Sequence, residues 1–360
     1  MSRLAALAVA MLAAAGAAGA AGAAGAAGAA GAAGAGASGS SSAAVIAYLT
    51  ETGNRLPFVW VAGAGGADAR RLGQGDAPLL SPDGDMVAAS DLHASGPALS
   101  VYPASGGAPA GYFNIVNVNA IPLAWSSDSR YLAVSLTGND APSLSGYGLV
   151  VIDTTTGTAT KVARGPIYGA SFAPGTSDTL VYARASSLSA RARSNLYTVG
   201  ADGTGTTQIT SDGRSADPVW GARGIVFDRE RLRTPSPPID QIWLMQPDGT
   251  GARQITHTHA GLFADGLVPI AVSADGTRLA AEFGGEDTSV GYSVSLLTGH
   301  ATDLAVAHGS VSAWGISRDG RSVLITVRES RAAVKIETIP FSGGHPTPLI
   351  AHGDYPSWDQ

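Results

Sequence analysis

The chain has 360 residues, among them 48 glycines and 20 prolines, and only 14% of its residues are charged. Its formal net charge of -6 argues against nucleic acid as a general partner. The absence of cysteine excludes a disulfide scaffold and a lipid-modified cysteine. The many turn-forming residues suit a protein built of short strands.

The N-terminal segment resembles a secretory leader. Arg3 precedes an apolar stretch at 4–15, and an Ala-Ala-Gly repeat continues to about Gly36. We predict a signal peptide at 1–30, a flexible linker at 31–42 and one domain at 43–360. The protein is then periplasmic or secreted and does not insert into a membrane after cleavage. A retained anchor stays an alternative, because 4–37 contains no polar residue and exceeds the length that spans a bilayer.

A matched apolar residue recurs along the rest of the chain at intervals of 42 to 52 residues. The positions are Leu80, Trp125, Phe172, Trp220, Val272, Ile316 and Trp358. Four of them precede a turn of the Ser-x-Asp-Gly or Ser-x-Asp-Ser type, at 81–84, 126–129, 273–276 and 317–320. Such a turn allows the positive φ of a tight hairpin. A period near 45 with short strands is typical of a propeller blade rather than of a helical solenoid.

Each copy continues with further strands rich in β-branched residues. The second strands are predicted at 86–90, 131–136, 180–183, 225–228, 279–283 and 323–327, and the third at 99–102, 149–152, 196–199, 242–245, 292–296 and 334–339. The plainest fourth strands lie at 208–210 and 254–256. Four antiparallel strands per copy make one blade.

The two ends of the chain complement each other. Residues 357–359 supply a first strand, and 45–49, 58–61 and 69–72 supply a second, third and fourth strand that lack a first. Pairing the ends would hide two sheet edges. We therefore predict an all-β fold, a seven-bladed β-propeller of four-stranded antiparallel blades that is closed by pairing of the N- and C-terminal strands.

Two segments carry a family resemblance. Residues 203–210 (GTGTTQIT) and 248–256 (DGTGARQIT), together with the Ser-Pro-Asp-Gly turn, resemble the repeats of TolB-type, WD-repeat-like propellers of secreted bacterial proteins. The resemblance covers 43–360. It implies the architecture and says little about chemistry, because such repeats occur in the Tol-Pal protein, in propellers attached to peptidases and in many other secreted proteins.

Histidines recur where one blade connects to the next. They are His257, His259, His308 and His352. Neutral imidazoles on adjacent loops could hold a divalent metal, with Asp265 or Asp354 as an oxygen ligand. The arrangement is similar to that of polysaccharide lyases such as oligogalacturonate lyase, which use channel histidines for a metal. The alternative is structural, because a residue repeated at the blade period often repeats one structural role.

Arginines form a second group, in the predicted loops between strands two and three of neighbouring blades. They are Arg184, Arg191, Arg193, Arg229, Arg231 and Arg233. Guanidinium groups on adjacent loops could bind carboxylates or phosphates bidentately. The alternative is a pair of solvated loops whose charge is partly offset by Asp228 and Glu230.

Motifs for nucleophilic, metalloprotease or phosphate-binding chemistry are absent from the sequence. Trp125, Trp220 and Trp358 share one first-strand position, which favours packing between blades. We predict an exported, monomeric, non-catalytic binding module without a cofactor, whose partner is a protein or peptide. The alternatives are a metal-assisted polysaccharide lyase or hydrolase that uses the histidines, and a purely structural envelope component.

Overall fold

The computed structural model describes residues 45–50, 57–91, 98–113, 118–138, 147–176, 178–188, 192–231, 239–258, 264–285, 289–306, 309–329 and 334–358. These residues form 28 β-strands and one 3-10 turn at Ala64–Gly66, with no α-helix among them. In the same ranges, no helix has the length and hydropathy needed to cross a membrane.

The strands are grouped in antiparallel units of four. One unit joins the chain ends and contains β28 (Asp354–Trp358), β1 (Ile46–Thr50), β2 (Phe58–Ala62) and β3 (Arg70–Gln74). The next three are β4 (Asp76–Leu80), β5 (Met86–Ser90), β6 (Leu99–Pro103), β7 (Ala110–Tyr112); β8 (Val118–Trp125), β9 (Tyr131–Gly138), β10 (Gly148–Asp153), β11 (Thr158–Arg164); and β12 (Ile167–Phe172), β13 (Thr179–Ala185), β14 (Ser194–Gly200), β15 (Thr207–Gln208).

The last three units are linked to one another by single parallel pairs, Asp240 with Gly266 and Val290 with Val311. They are β16 (Ser215–Gly221), β17 (Gly224–Arg231), β18 (Ile239–Met245), β19 (Arg253–Gln254); β20 (Ala264–Val272), β21 (Arg278–Gly285), β22 (Ser289–Ser295), β23 (Ala301–Asp303); and β24 (Ser310–Ile316), β25 (Ser322–Arg328), β26 (Lys335–Pro340), β27 (Thr347–Ile350). The predicted four-stranded antiparallel units are confirmed.

Apolar side chains fill the space between neighbouring units. On β17, Phe227 packs in a cluster with Val181 of β13, whereas Val226 packs in a different cluster with Leu267 of β20. Alternate residues of one strand thus face opposite neighbours. Burial on both faces explains why the middle strands are almost continuously apolar rather than alternating.

The predicted serine–aspartate turns follow one scheme. The Ser81 hydroxyl donates to Asp83 Oδ1 at 2.6 Å and accepts the backbone N–H of Met86 at 2.9 Å. The same serine-to-aspartate bond recurs at 126, 273 and 317. These turns join strand one to strand two, so we call their side of each unit the turn end. The opposite side, where strand two leads to strand three and strand four leads to the next unit, is the loop end.

The first and last strands of the described residues lie in one sheet. β28 pairs antiparallel with β1, with Trp358 opposite Ile46. The hydroxyl of Ser357 accepts the backbone N–H of Leu80 from the next unit at 2.9 Å. β28 also contacts β24 and β25 on one side and β4 on the other, so it lies between the units that precede and follow it.

Several first strands contain a bulge with a positive φ. The residues are Ala77 (φ 47°), Gly169 (φ 86°), Asp217 (φ 42°) and Tyr355 (φ 49°). The bulge redirects the side chains that follow it. At Gly169 a Cβ would lie 3.1 Å from Cα of Asp217, so the close approach of two neighbouring first strands depends on glycine.

Candidate functional site

The structure places part of the predicted arginine group differently from the sequence prediction. Arg184 lies on β13 and Arg229 on β17, not in the loops that were predicted for them. Both strands extend toward the loop end beyond the apolar residues from which they were predicted. Arg193 does lie in a loop, directly before β14, and is exposed. Arg191 and Arg233 lie outside the described residues, as does the side chain of Arg231.

Arg229 is held between a carboxylate and aromatic rings. Its guanidinium forms an ion pair of 2.7 Å with Asp212 and lies 4.4 Å from the ring centroid of Trp243 and 5.0 Å from that of Phe227. Burial lowers its pKa, and the nearby Asp212 opposes that shift. Arg229 therefore anchors this corner of the unit.

Arg214, which the sequence analysis missed, completes a group of arginines at the loop end. Asp212 Oδ1 accepts the backbone N–H of Arg214 at 2.8 Å, and the Arg214 guanidinium donates to the carbonyl of Glu230 at 3.4 Å. The side chain of Arg193 packs against Gly213, which lies between Asp212 and Arg214 in the sequence. We call Arg193, Arg214 and Arg229 the arginine cluster. Asp212 is its central carboxylate.

Arg184 borders this cluster from the neighbouring strand pair. Its guanidinium stacks on the ring of Tyr197 at 4.4 Å. It lies opposite Asn195 in the ladder, and Oδ1 of Asn195 accepts the backbone N–H of Gly213 at 2.9 Å. Of the described predicted arginines, Arg193 and Arg229 therefore lie around residues 212–214, where the sequence carries no recognisable motif, whereas the guanidinium of Arg184 lies on Tyr197.

The structure describes only two of the four histidines that were predicted to bind a metal. His257 and His352 are exposed at the loop end, whereas His259 and His308 lie outside the described residues. Asp354 is buried and forms a 2.7 Å ion pair with Arg328, so its carboxylate is already engaged. The side chain of Asp265 is not described. Within the described residues, no three His, Cys, Asp or Glu side chains come together as a metal site. A divalent metal at the four histidines stays a prediction.

A pair of buried carboxyl groups lies beside the arginine cluster. Asp217 and Asp228 are 8% and 5% exposed, and one oxygen of each has no hydrogen-bond partner among the residues that the structure describes. Burial raises the pKa of Asp217 to about 7. Burial, with the charges of Asp217 and Asp240, raises the pKa of Asp228 well above its usual value. The sequence analysis treated Asp228 as a charge that offsets the arginines, and its deep burial contradicts this.

Comparisons with known proteins support the architecture. The β-propeller domain of the Trilobed protease from Pyrococcus furiosus superimposes with a TM-score of 0.51 at 13% identity, covering 85% of this chain and 84% of that one. An oligogalacturonate lyase in complex with manganese has a TM-score of 0.55 at 15% identity, with 87% of each chain covered. TolB from Acinetobacter baumannii has a TM-score of 0.49 at 14% identity, with 88% and 83% covered.

No family model matches the chain, and no curated protein is similar to it in sequence. At these identities the structural similarities report on the fold alone. The similarity to the β-propeller domain of the Trilobed protease confirms the predicted propeller architecture. The chain is a β-propeller.

Proposed function

We propose that this chain is an exported, closed, seven-bladed β-propeller that binds an acidic peptide segment of a protein partner through the arginine cluster. Pairing of β28 with β1 supports closure, and the grouping of 28 described strands into units of four supports seven blades. Export rests on the leader at 1–30, which lies outside the described residues. A rigid propeller suits a binding role because its loops can vary without disturbing the sheets.

The observation that carries the proposal is the presence of three arginines around residues 212–214 with one acidic side chain paired among them. The Arg229 guanidinium pairs with Asp212, the Arg214 guanidinium donates to the backbone carbonyl of Glu230, and the Arg193 side chain packs against Gly213. This positive surface belongs to a protein whose net charge is -6. A carboxylate-rich peptide complements it, since guanidinium groups bind carboxylates through paired hydrogen bonds.

Arg193 and Arg214 are the residues that bind the peptide directly in this proposal. Arg229 holds the site in place, because its charge is already paired with Asp212 and its side chain is only 17% exposed. Stacking on Trp243 fixes its position further. Removing Arg229 would therefore disturb the local fold, whereas removing Arg193 and Arg214 should affect mainly binding.

The experiment measures binding of a fluorescent peptide of alternating Asp and Ser residues at 50 and 500 mM salt. We expect the parent protein to bind more weakly at high salt, because salt screens exposed charges. The double variant Arg193→Gln and Arg214→Gln should lose about tenfold in affinity at low salt, equal to about 1.4 kcal/mol. Arg321→Gln, at the turn end and with its side chain 82% exposed, is the matched control. Equal affinities of the parent and the double variant would refute the proposal.

A further inference from the structure

A groove of about 640 Å³ opens at the turn end between the β12–β15 and β16–β19 units. Its walls include Pro174, Thr176 and Thr179 from the first unit and Trp220, Arg223 and Gln246 from the second. This volume falls within the range of about 300 to 1,000 Å³ that is usual for small-molecule sites. The groove lies at the opposite end of these units from the arginine cluster.

The groove exists because of an unusual turn. Trp220 pairs with Ile225, so four residues separate these partners. In the four units with the serine–aspartate turn, six residues separate the corresponding partners, as between Leu80 and Val87. The preceding unit has seven, between Phe172 and Leu180. The turn after β16 is therefore two residues shorter than the common turn, and the turn after β12 is one residue longer. The space that a six-residue turn after β16 would fill stays open and forms the groove.

Trp220 behaves differently from the tryptophan at the same position of another unit. The indole N–H of Trp125 donates to the carbonyl of Leu79 in the preceding unit at 3.1 Å, and Trp125 is 8% exposed. Trp220 instead contacts the preceding unit through its backbone N–H, which donates to the hydroxyl of Ser171 at 3.0 Å. Among the described residues, its indole N–H has no hydrogen-bond partner, and Trp220 is only partly buried in the groove wall.

Arg223 brings a positive charge to the same groove. Its Nε donates to the carbonyl of Asp275 at 3.3 Å, which anchors the side chain. In the described part of the chain, its guanidinium forms no ion pair. The carboxylate of Asp275 itself accepts hydrogen bonds from the hydroxyls of Ser273 and Thr277. Among the described residues, none that lines the groove is acidic.

We propose that this groove binds a saccharide that carries a uronate. The indole of Trp220 offers a flat apolar surface for the C–H face of a sugar ring. Arg223 offers a planar guanidinium for the ring carboxylate. Gln246, Thr176 and Thr179 offer amide and hydroxyl groups for the sugar hydroxyls. A flat apolar face, one anion and several hydroxyls on a single small ligand match these groups.

The test uses two disaccharides that differ only at one carbon. Cellobiouronic acid carries a carboxylate at C6 of one ring, and cellobiose carries a hydroxymethyl group at that carbon. Calorimetry or saturation-transfer NMR should show the uronic acid binding at least tenfold more tightly to the parent. Arg223→Gln should abolish this preference, and Trp220→Leu should weaken binding of both sugars. Arg321→Gln, which removes a guanidinium from another turn-end hairpin and whose side chain is 82% exposed, should match the parent.

A third variant tests the groove itself. Inserting Ser-Asp between Ala222 and Arg223 restores a six-residue turn and should block both disaccharides while the circular dichroism spectrum is unchanged. Absence of binding by the parent at millimolar cellobiouronic acid would overturn the proposal, as would equal binding of the two disaccharides. Equal competition by an acetylated Asp-Asp dipeptide would overturn the saccharide assignment. The variant Arg193→Gln should bind the disaccharide normally. The groove proposal and the arginine-cluster proposal can therefore fail independently of each other.

Discussion

The buried carboxyl of Asp217 predicts that the protein loses stability as the pH rises from about 4 to about 7. Its pKa is raised to about 7 from an ordinary value of 3.8. Between these two pH values the folded protein binds a proton that the unfolded chain has released. The folded state is therefore favoured at the acidic end of this window and loses that advantage as the pH approaches 7.

The size of the effect follows from the shift. Raising the pKa from 3.8 to about 7 spans roughly three units, each equal to about 1.36 kcal/mol, so this carboxyl costs up to about 4 kcal/mol above pH 7. Asp228 adds to the loss in the same direction. The turn carboxylates of Asp275 and Asp319 have lowered pKa values, and their contribution is lost only as the pH falls below about 4. The two windows therefore do not overlap.

The perturbation is Asp217→Asn, because asparagine has the same shape, carries no charge and tolerates the φ of 42°. Urea unfolding followed by tryptophan fluorescence would give the free energy of unfolding at pH 5 and pH 8. We expect the variant to be more stable than the parent by about 4 kcal/mol at pH 8 and by less than about 2 kcal/mol at pH 5, which lies only about one unit above the ordinary pKa of the carboxyl. The double variant with Asp228→Asn should remove most of the remaining pH dependence in this range.

The control is Asp68→Asn, since Asp68 also has a positive φ, 53°, but is exposed. It separates the effect of burial from that of backbone conformation, and its stability should follow the parent at both pH values. An Asp217→Asn protein that is less stable than the parent at pH 8, or that keeps the full pH dependence of the parent, would refute the reasoning.

Three further results are expected. Gly169→Ala should lower the free energy of unfolding by at least about 1 kcal/mol, because φ is 86° and the added Cβ would lie 3.1 Å from the neighbouring backbone; an unchanged urea midpoint would contradict this. Deleting 354–360 should lower the melting temperature by several degrees, since it removes β28 and the acceptor for Leu80; an unchanged melting temperature would show that the ends do not stabilise each other. Replacing His257 and His352 by alanine should remove stoichiometric divalent metal if the histidines bind one, whereas a metal-free parent by elemental analysis would reject the site.

Much of the architecture could be predicted from the sequence because it rests on local chemistry. The serine–aspartate turns, the apolar strands and the incomplete units at the two ends each leave a visible pattern. The bond from Ser81 to Asp83 and the pairing of Trp358 with Ile46 match that reading. Such features depend on residues within one repeat or on the count of strands, which the sequence contains.

The candidate sites were harder to predict because they depend on contacts between units. Arg184 and Arg229 interrupt apolar strands, so a reading based on apolar runs ended those strands too early and placed both residues in loops. Arg214 stands alone in the sequence and joins the cluster through hydrogen bonds with Asp212 and with the backbone of Glu230. The short turn at 221–224 is visible in the sequence, but the groove beside it also requires the long turn of the preceding unit.

The repeats allow the units to be compared with one another, and the comparison points to one unit. Second strands carry a buried polar side chain at the same position in several units, with Ser90 donating to the carbonyl of Ala120 in the next unit. In the β16–β19 unit this position is Asp228, and in the β20–β23 unit it is Glu282, so a buried carboxyl at this position occurs in more than one unit. The short turn and most of the arginine cluster belong to the β16–β19 unit or its entry segment.

Each unit of a repeat protein contacts mainly its neighbours, so a departure from the common pattern destabilises only its surroundings. A buried, partly unsatisfied carboxyl pair costs stability, and the rest of the propeller can support that cost. Features shared by all units are therefore explained by architecture, whereas those confined to the β16–β19 unit need another explanation. Binding at both of its ends, at the arginine cluster and at the Trp220 groove, would account for them in a single unit.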